Sequence, residues 1–310
     1  MFKYSNTNKR YHTLDYYYKT KYNSKIFKIT LNQNCSCPNI DGTKGFKGCI
    51  YCKNGSGENR FMSLKEQFEL NRSILHKKWP EAKYIAYFQA NSNTYGDIEK
   101  LKNNFYEVLT YENVLGINIA TRCDCINDEV INMLNDLKRK TDLVVELGLQ
   151  TSNDKTLKLI NTCYTKDEFD KTLDLLIKNN IKVVVHIING LPFETKEDML
   201  ETVKYLNSKN IFGIKIHMLH ILKNTELEKL YDKSKFHVLE KLEYVNIICD
   251  QLELLRPEIV INRVTGDPKV DDLVEPTWLI KKFTVLNEID KELVRRDSYQ
   301  GKVAVKKLNI

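Results

Sequence analysis

The run Lys25-Ile-Phe-Lys-Ile-Thr-Leu31 is followed after five residues by Cys37-Pro-Asn-Ile-Asp-Gly-Thr-Lys-Gly-Phe-Lys-Gly-Cys49-Ile-Tyr-Cys52. The first segment, apolar and partly β-branched, reads as a strand. The second, broken by three glycines, reads as a loop. Working outward, further strand-like runs lie at Lys83–Gln89, Leu115–Ala120, Leu143–Leu149, Ile181–Ile188 and Phe212–Leu219. Stretches of helical period separate them. Ser63-Leu-Lys-Glu66, Thr165-Lys-Asp-Glu168 and Thr195-Lys-Glu-Asp198 each set a hydroxyl three residues before a carboxylate, the pattern of a capping box. Asp97 and Asn127 read as N-caps of two more helices.

Strands alternating with helices predict right-handed βαβ units and a parallel sheet. The expected fold is α/β: a partial (β/α)6 TIM-type barrel over residues 25–220. A basic, aromatic arm over 1–24 would pack on it. A mainly helical extension over 221–310 would cover its mouth, with helices near 235–255 and 276–296 and one short strand, Glu258–Asn262. Barrel chemistry sits at the C-terminal ends of the strands. The unusual polar residues fall there: the cysteine loop, Gln89 to Thr94, Thr121-Arg122, Glu146 to Gln150, His186, and His217 with His220.

Composition narrows the class. No apolar run reaches the length of a membrane span, and residues 1–10 lack the apolar core of a secretory signal. A cytoplasmic protein is expected. Its eight cysteines should then remain thiols, which points to metal or redox work. The net charge of +7 would suit nucleic acid, but a Lys-rich composition spread over solvated faces explains it equally. The arm Lys9-Arg-Tyr-His-Thr-Leu-Asp-Tyr-Tyr-Tyr-Lys-Thr-Lys21 could stack bases or form an aromatic strap.

Two metal readings of the cysteine loop compete. Cys37, Cys49 and Cys52 could hold three irons of a cubane cluster and leave the fourth open, since a cluster held entirely by protein usually takes four cysteines. With Cys35 added, four thiolates could instead close a structural zinc site. Cys123, Cys125, Cys163 and Cys249 read as ordinary buried thiols.

The loop resembles that of radical S-adenosylmethionine (SAM) proteins of the Elongator-catalytic-subunit-like group, specifically the YhcC-like branch. Similar family stretches are Tyr87–Tyr95, Thr121–Asp124, Glu146–Leu157, Gly190-Leu-Pro192, His217–His220, Arg263–Asp267 and Val285–Asp290. The resemblance implies a [4Fe–4S] cluster on Cys37, Cys49 and Cys52, with Cys35 a bystander. It puts Tyr51 beside the cofactor adenine. Gln89, Asn91, Ser92 and Thr94 stand where the family's glycine-rich segment meets the methionine amino group. Arg122, Glu146, Gln150, His186, Gly190, Leu191 and Pro192 are expected around the rest of the cofactor. A Glu inside Val144-Val-Glu-Leu147 needs a partner if it is buried.

The chain departs from the branch at Cys123, Thr162–Tyr164 and Asn189–Phe193, as a specialised offshoot with a repurposed pocket would, and among specialised relatives it resembles queuine lyases. That resemblance implies a small deazaguanine substrate, queuine, with Asn189, Phe193, His217, His220, Arg263 and Asp267 as substrate contacts. It also implies an external reductant such as flavodoxin or ferredoxin. Radical modification of tRNA and a zinc-stabilised RNA-binding protein are the alternatives.

Overall fold

The computed structural model describes residues 2–53 and 61–304; Met1 and the last six residues of the expected extension lie outside the described residues. In chain order its elements are α1 (Leu14–Tyr22), β1 (Ile26–Leu31), α2 (Leu64–His76), β2 (Lys83–Phe88), α3 (Ile98–Val108), β3 (Val114–Arg122), α4 (Asp128–Lys140) and β4 (Asp142–Gln150). There follow α5 (Asp154–Leu159), α6 (Lys166–Lys178), β5 (Lys182–Asn189), α7 (Lys196–Asn207), β6 (Gly213–Met218) and β7 (Ile221–Leu222). The chain continues with α8 (Glu226–Ser234), α9 (Lys241–Leu254), β8 (Val260–Arg263), β9 (Leu273–Glu275) and α10 (Lys282–Arg295). All three capping boxes form, and Asp97 and Asn127 cap α3 and α4.

The main sheet has seven strands in the order β1-β2-β3-β4-β5-β6-β8, all in parallel register. The short strand expected in the C-terminal cover is therefore the last strand of the barrel sheet, paired with β6. Its local pattern announces a strand but not its neighbour. That pairing is set by α8 and α9, which carry the chain across between β6 and β8.

Period-two alternation sorts the side chains of each strand. On β4, Leu143, Val145, Leu147 and Leu149 join the main hydrophobic core, while Glu146, Gly148 and Gln150 line an interior cavity. β5 sends Val183, Val185 and Ile187 to that core and His186 to the cavity. β6 does the same with Ile214 and Ile216 against Lys215 and His217.

The N-terminal segment closes the seam between the first and last strands. Thr13 bridges Ile261 in parallel, and the Ile261 amide donates to the His12 carbonyl at 2.8 Å. Tyr18 packs with Ile26 and Ile85 in a small separate core, and Tyr17 meets Phe212 edge-on at 4.9 Å. The arm's aromatic residues thus pack on protein. Beyond β6, the chain meets the cysteine loop through the Leu227 amide on the Ile50 carbonyl, 2.9 Å, and Lys53 on Asp272, 2.7 Å. No helix among the described residues is long and apolar enough to cross a membrane.

Candidate active site

Five strands each send a polar side chain inward to meet Glu146 of β4. Its Oε1 accepts from Lys28 Nζ of β1 at 2.6 Å and from Asn118 Nδ2 of β3 at 2.7 Å. Its Oε2 meets the Tyr87 hydroxyl of β2 at 2.8 Å, His186 Nε2 of β5 at 2.7 Å and Lys215 Nζ of β6 at 3.4 Å. Lys215 also donates to the Tyr87 hydroxyl at 2.9 Å. The buried carboxylate anticipated within β4 is thus fully partnered. Burial would push Glu146 up, but the charges of Lys28 and Lys215 and the His186 bond hold it well below the carboxylate range. Burial pulls Lys215 down to about 8 despite the Glu146 charge.

Above this network lies a cavity of about 270 Å³. The cysteine loop forms one wall, with Cys37, Cys49, Tyr51 and Cys52, and the strand ends form the other, with Gln89, Asn91, Ser92, Arg122 and Gln150. Tyr164 completes it, its hydroxyl donating to the Gly148 carbonyl at 3.1 Å and its ring lying 5.0 Å from the Arg122 guanidinium. Arg122 is held by paired bonds to Asp124, 2.8 and 2.7 Å, and by the Thr162 carbonyl, 2.7 Å. Cys35 lines a different cavity, with Ser36, Tyr95 and Lys100. Burial pushes the Cys49 thiol up to about 11, with Cys52 and Cys37 among its electrostatic neighbours.

A second cavity of about 250 Å³ adjoins the first. Tyr51, Gln150, His186 and His217 line both. Ile188, Met218, Leu219 and Leu222 make the second one apolar, with His220 in its wall. Burial lowers His186 and His220 to about 4 and His217 well below its usual value, so all three are neutral near pH 7.

Several expected site residues lie elsewhere, and these placements correct the sequence reading. Asn189 exchanges side-chain amide bonds with Gln251 of α9, 2.8 and 2.9 Å, and lines neither cavity. It has the parity of Val183, Val185 and Ile187, so it faces outward. Phe193 is 62% exposed, against Phe236. Gly190, Leu191 and Pro192 also lie off both cavities: Gly190, at φ +84°, has Leu239 packed against it, and Leu191 is core. Thr94 is spent on Thr121 and the Cys125 carbonyl. Arg263 and Asp267 pair with each other beside a third cavity at the arm. Cys163 is exposed rather than buried. Lys28, Tyr87, Asn118 and Lys215 were not anticipated. Their signal was a polar residue inside an apolar run, at inward parity.

Comparison with known proteins identifies the family. The model of the radical SAM superfamily matches residues 43–206, and that of the radical SAM C-terminal domain matches residues 211–295. The chain belongs to the radical SAM superfamily. It is 45% identical to the uncharacterised protein YtqA of Bacillus subtilis (strain 168), over 97% of this chain and 95% of that one. It is 30% identical to the YhcC protein of Escherichia coli (strain K12), over 88% and 89% of the two chains. The fold matches that of Elp3 from the archaeon Methanocaldococcus infernus with a TM-score of 0.69 at 17% identity. That match covers 89% of this chain but only 64% of the archaeal one, so this chain spans under two thirds of Elp3.

A radical SAM protein uses a [4Fe–4S] cluster and SAM, and the donor set suits them. Three thiols face one cavity, whereas the four-thiol zinc reading needs Cys35, which faces another. Among the described residues, no three His, Cys, Asp or Glu side chains are arranged around one metal ion. A cubane makes no such demand, because each thiolate binds its own iron.

The neutral histidines have a measurable consequence. The unfolded chain protonates His220 near 6.5 and the folded chain only near 4. Between these values the unfolded state binds more protons, so this contribution to stability is complete above pH 6.5 and shrinks as pH falls. Glu194, pushed up to about 7 by burial, acts in the opposite sense. The His220 contribution is therefore read as a difference. His220→Gln should lose about 2 kcal/mol less stability than the parent chain between pH 7 and pH 5, in urea titrations. Equal losses would mean that the folded state carries His220 protonated.

Proposed function

We propose that the chain is a radical SAM lyase that breaks the C–N bond of queuine, separating its cyclopentenediol from 7-aminomethyl-7-deazaguanine. In this reading Cys37, Cys49 and Cys52 hold the cluster and leave one iron for the amino-acid end of SAM. Tyr51, Gln89, Asn91, Ser92, Arg122 and Gln150 surround the cofactor. Cluster and cofactor, when bound, supply removal of a hydrogen atom from an unactivated C–H bond. The protein's task is to fix that C–H bond beside the cofactor and to keep water away. A flavodoxin or ferredoxin would deliver the electron, in a reducing, cytoplasmic setting that suits eight cysteine thiols.

The observation that carries this reading is the second cavity. It is small, apolar-walled and continuous with the first, and its polar groups include neutral imidazoles. A neutral imidazole donates at one nitrogen and accepts at the other. A deazaguanine edge offers N–H and carbonyl groups to match, and a few placed polar groups in an apolar wall are the usual way to orient a small ligand. Equilibrium binding tests the class of substrate. Free queuine should bind the reconstituted enzyme with an affinity that changes by less than about threefold between 50 and 200 mM salt. A tRNA held by phosphate contacts would weaken by orders of magnitude over that range. Steeply salt-dependent tRNA binding, with no binding of the free base, would favour tRNA modification.

A further inference from the structure

We infer that His186 is the base that takes the hydroxyl proton of the substrate's carbinol carbon, and that Glu146 holds it in the tautomer this requires. The inference rests on the queuine reading, because it needs a hydroxyl on the carbon next to the C–N bond.

His186 stands where the two cavities meet. Its Nε2 lies 2.7 Å from Glu146 Oε2. Lys28 and Lys215 keep that carboxylate ionised, so it can only accept. Nε2 therefore carries the hydrogen, and Nδ1 is left as a lone-pair acceptor on a ring that is neutral near pH 7. Glu146 cannot turn away, since Lys28, Asn118 and Tyr87 fix both its oxygens. The charged and titratable groups around the ring are Lys28 of β1, Tyr87 of β2, Glu146 of β4, and Lys215 and His217 of β6. The His217 ring lies 5.3 Å away, centroid to centroid. Burial and the two nearby ammonium groups oppose a charged imidazolium more than the Glu146 carboxylate favours it, so His186 holds a proton only in passing.

The chemistry balances. One hydrogen atom leaves the carbinol carbon, which becomes a hydroxyl-bearing radical. His186 removes the hydroxyl proton and an O–C double bond begins to form. The adjacent C–N bond then breaks with its electron pair moving to nitrogen. A secondary ammonium thereby departs as the neutral primary amine of 7-aminomethyl-7-deazaguanine. The carbonyl radical left on the five-membered ring is closed by one proton and one electron. That electron comes from a one-electron donor of the iron–sulfur or flavin class, and the proton can return from His186. Without the base, the hydrogen atom can still be removed but the amine leaves slowly.

The test uses reconstituted His186→Asn and His186→Gln enzymes with queuine deuterated at the carbinol carbon. Amine release should fall about 10²–10⁴-fold, and by far more than deuterium transfer to 5′-deoxyadenosine or queuine affinity falls. In the oxidised, reconstituted parent, imidazole 15N shifts should show His186 protonated at Nε2 and bare at Nδ1. Loss of deuterium transfer in step with amine release, or an Nδ1–H tautomer, would overturn the assignment. So would full amine release by either variant. Failure of the parent enzyme to bind or cleave queuine would instead sink the lyase reading on which it rests.

Discussion

Replacing Cys37, Cys49 or Cys52 by Ala should abolish the iron–sulfur absorption of the reconstituted protein or its cleavage of SAM, while Cys35→Ala should retain both. The parent should carry about four irons per chain. The first three thiols face one cavity beneath Arg122 and Tyr164, and Cys35 faces another beside Lys100. On this assignment each of the three would serve a separate iron, so one loss would leave a second iron without a protein ligand. Burial raises the metal-free Cys49 thiol to about 11, so cluster assembly must displace a tightly held proton. Reconstitution should therefore release protons and proceed better at higher pH. Retention of cluster and cleavage in Cys37→Ala, with loss in Cys35→Ala, would reverse the ligand assignment.

Glu146→Ala should be the most damaging change that leaves the cysteine loop untouched. It leaves Lys28 and Lys215 facing each other in the floor of the barrel without their shared anion, and removing one partner of a buried ion pair costs about 3–5 kcal/mol. Lys215 is already depressed to about 8, so with Glu146 gone it should deprotonate below neutrality. The expected result in denaturant titrations is a large fall in midpoint, partly recovered when Lys215→Met is added. A stability change under about 1 kcal/mol would show that the network is solvated, as exposed ion pairs are.

Much of this architecture was legible in the sequence because local signals and the fold agree. The capping boxes at Ser63, Thr165 and Thr195 fix helix starts by chemistry confined to four residues. The strand runs stand out because helices cover their outer faces. What was not legible depends on partners distant in sequence. Val260–Arg263 reads as a strand, yet only the crossover through α8 and α9 assigns it to β6. His186 lies inside the apolar run of β5 and Asn189 ends it, and only strand parity separates the outward one from the inward one. Arg263 and Asp267 looked like base-recognition groups, but they pair beside the N-terminal arm. The Glu146 network could be sensed from one buried carboxylate. Its other members belong to five different strands, and their convergence is a product of how the open sheet curves around Glu146.

The reaction proposed for this barrel is the cleavage of a small free base. The most direct measurement is anaerobic incubation of the reduced, reconstituted enzyme with SAM and either free queuine or queuosine-containing tRNA. Both 5′-deoxyadenosine and 7-aminomethyl-7-deazaguanine are followed by mass spectrometry. The predicted result is formation of both products together from the free base and none from the tRNA. Release of 7-aminomethyl-7-deazaguanine, or 5′-deoxyadenosine formation, only with the tRNA would contradict it.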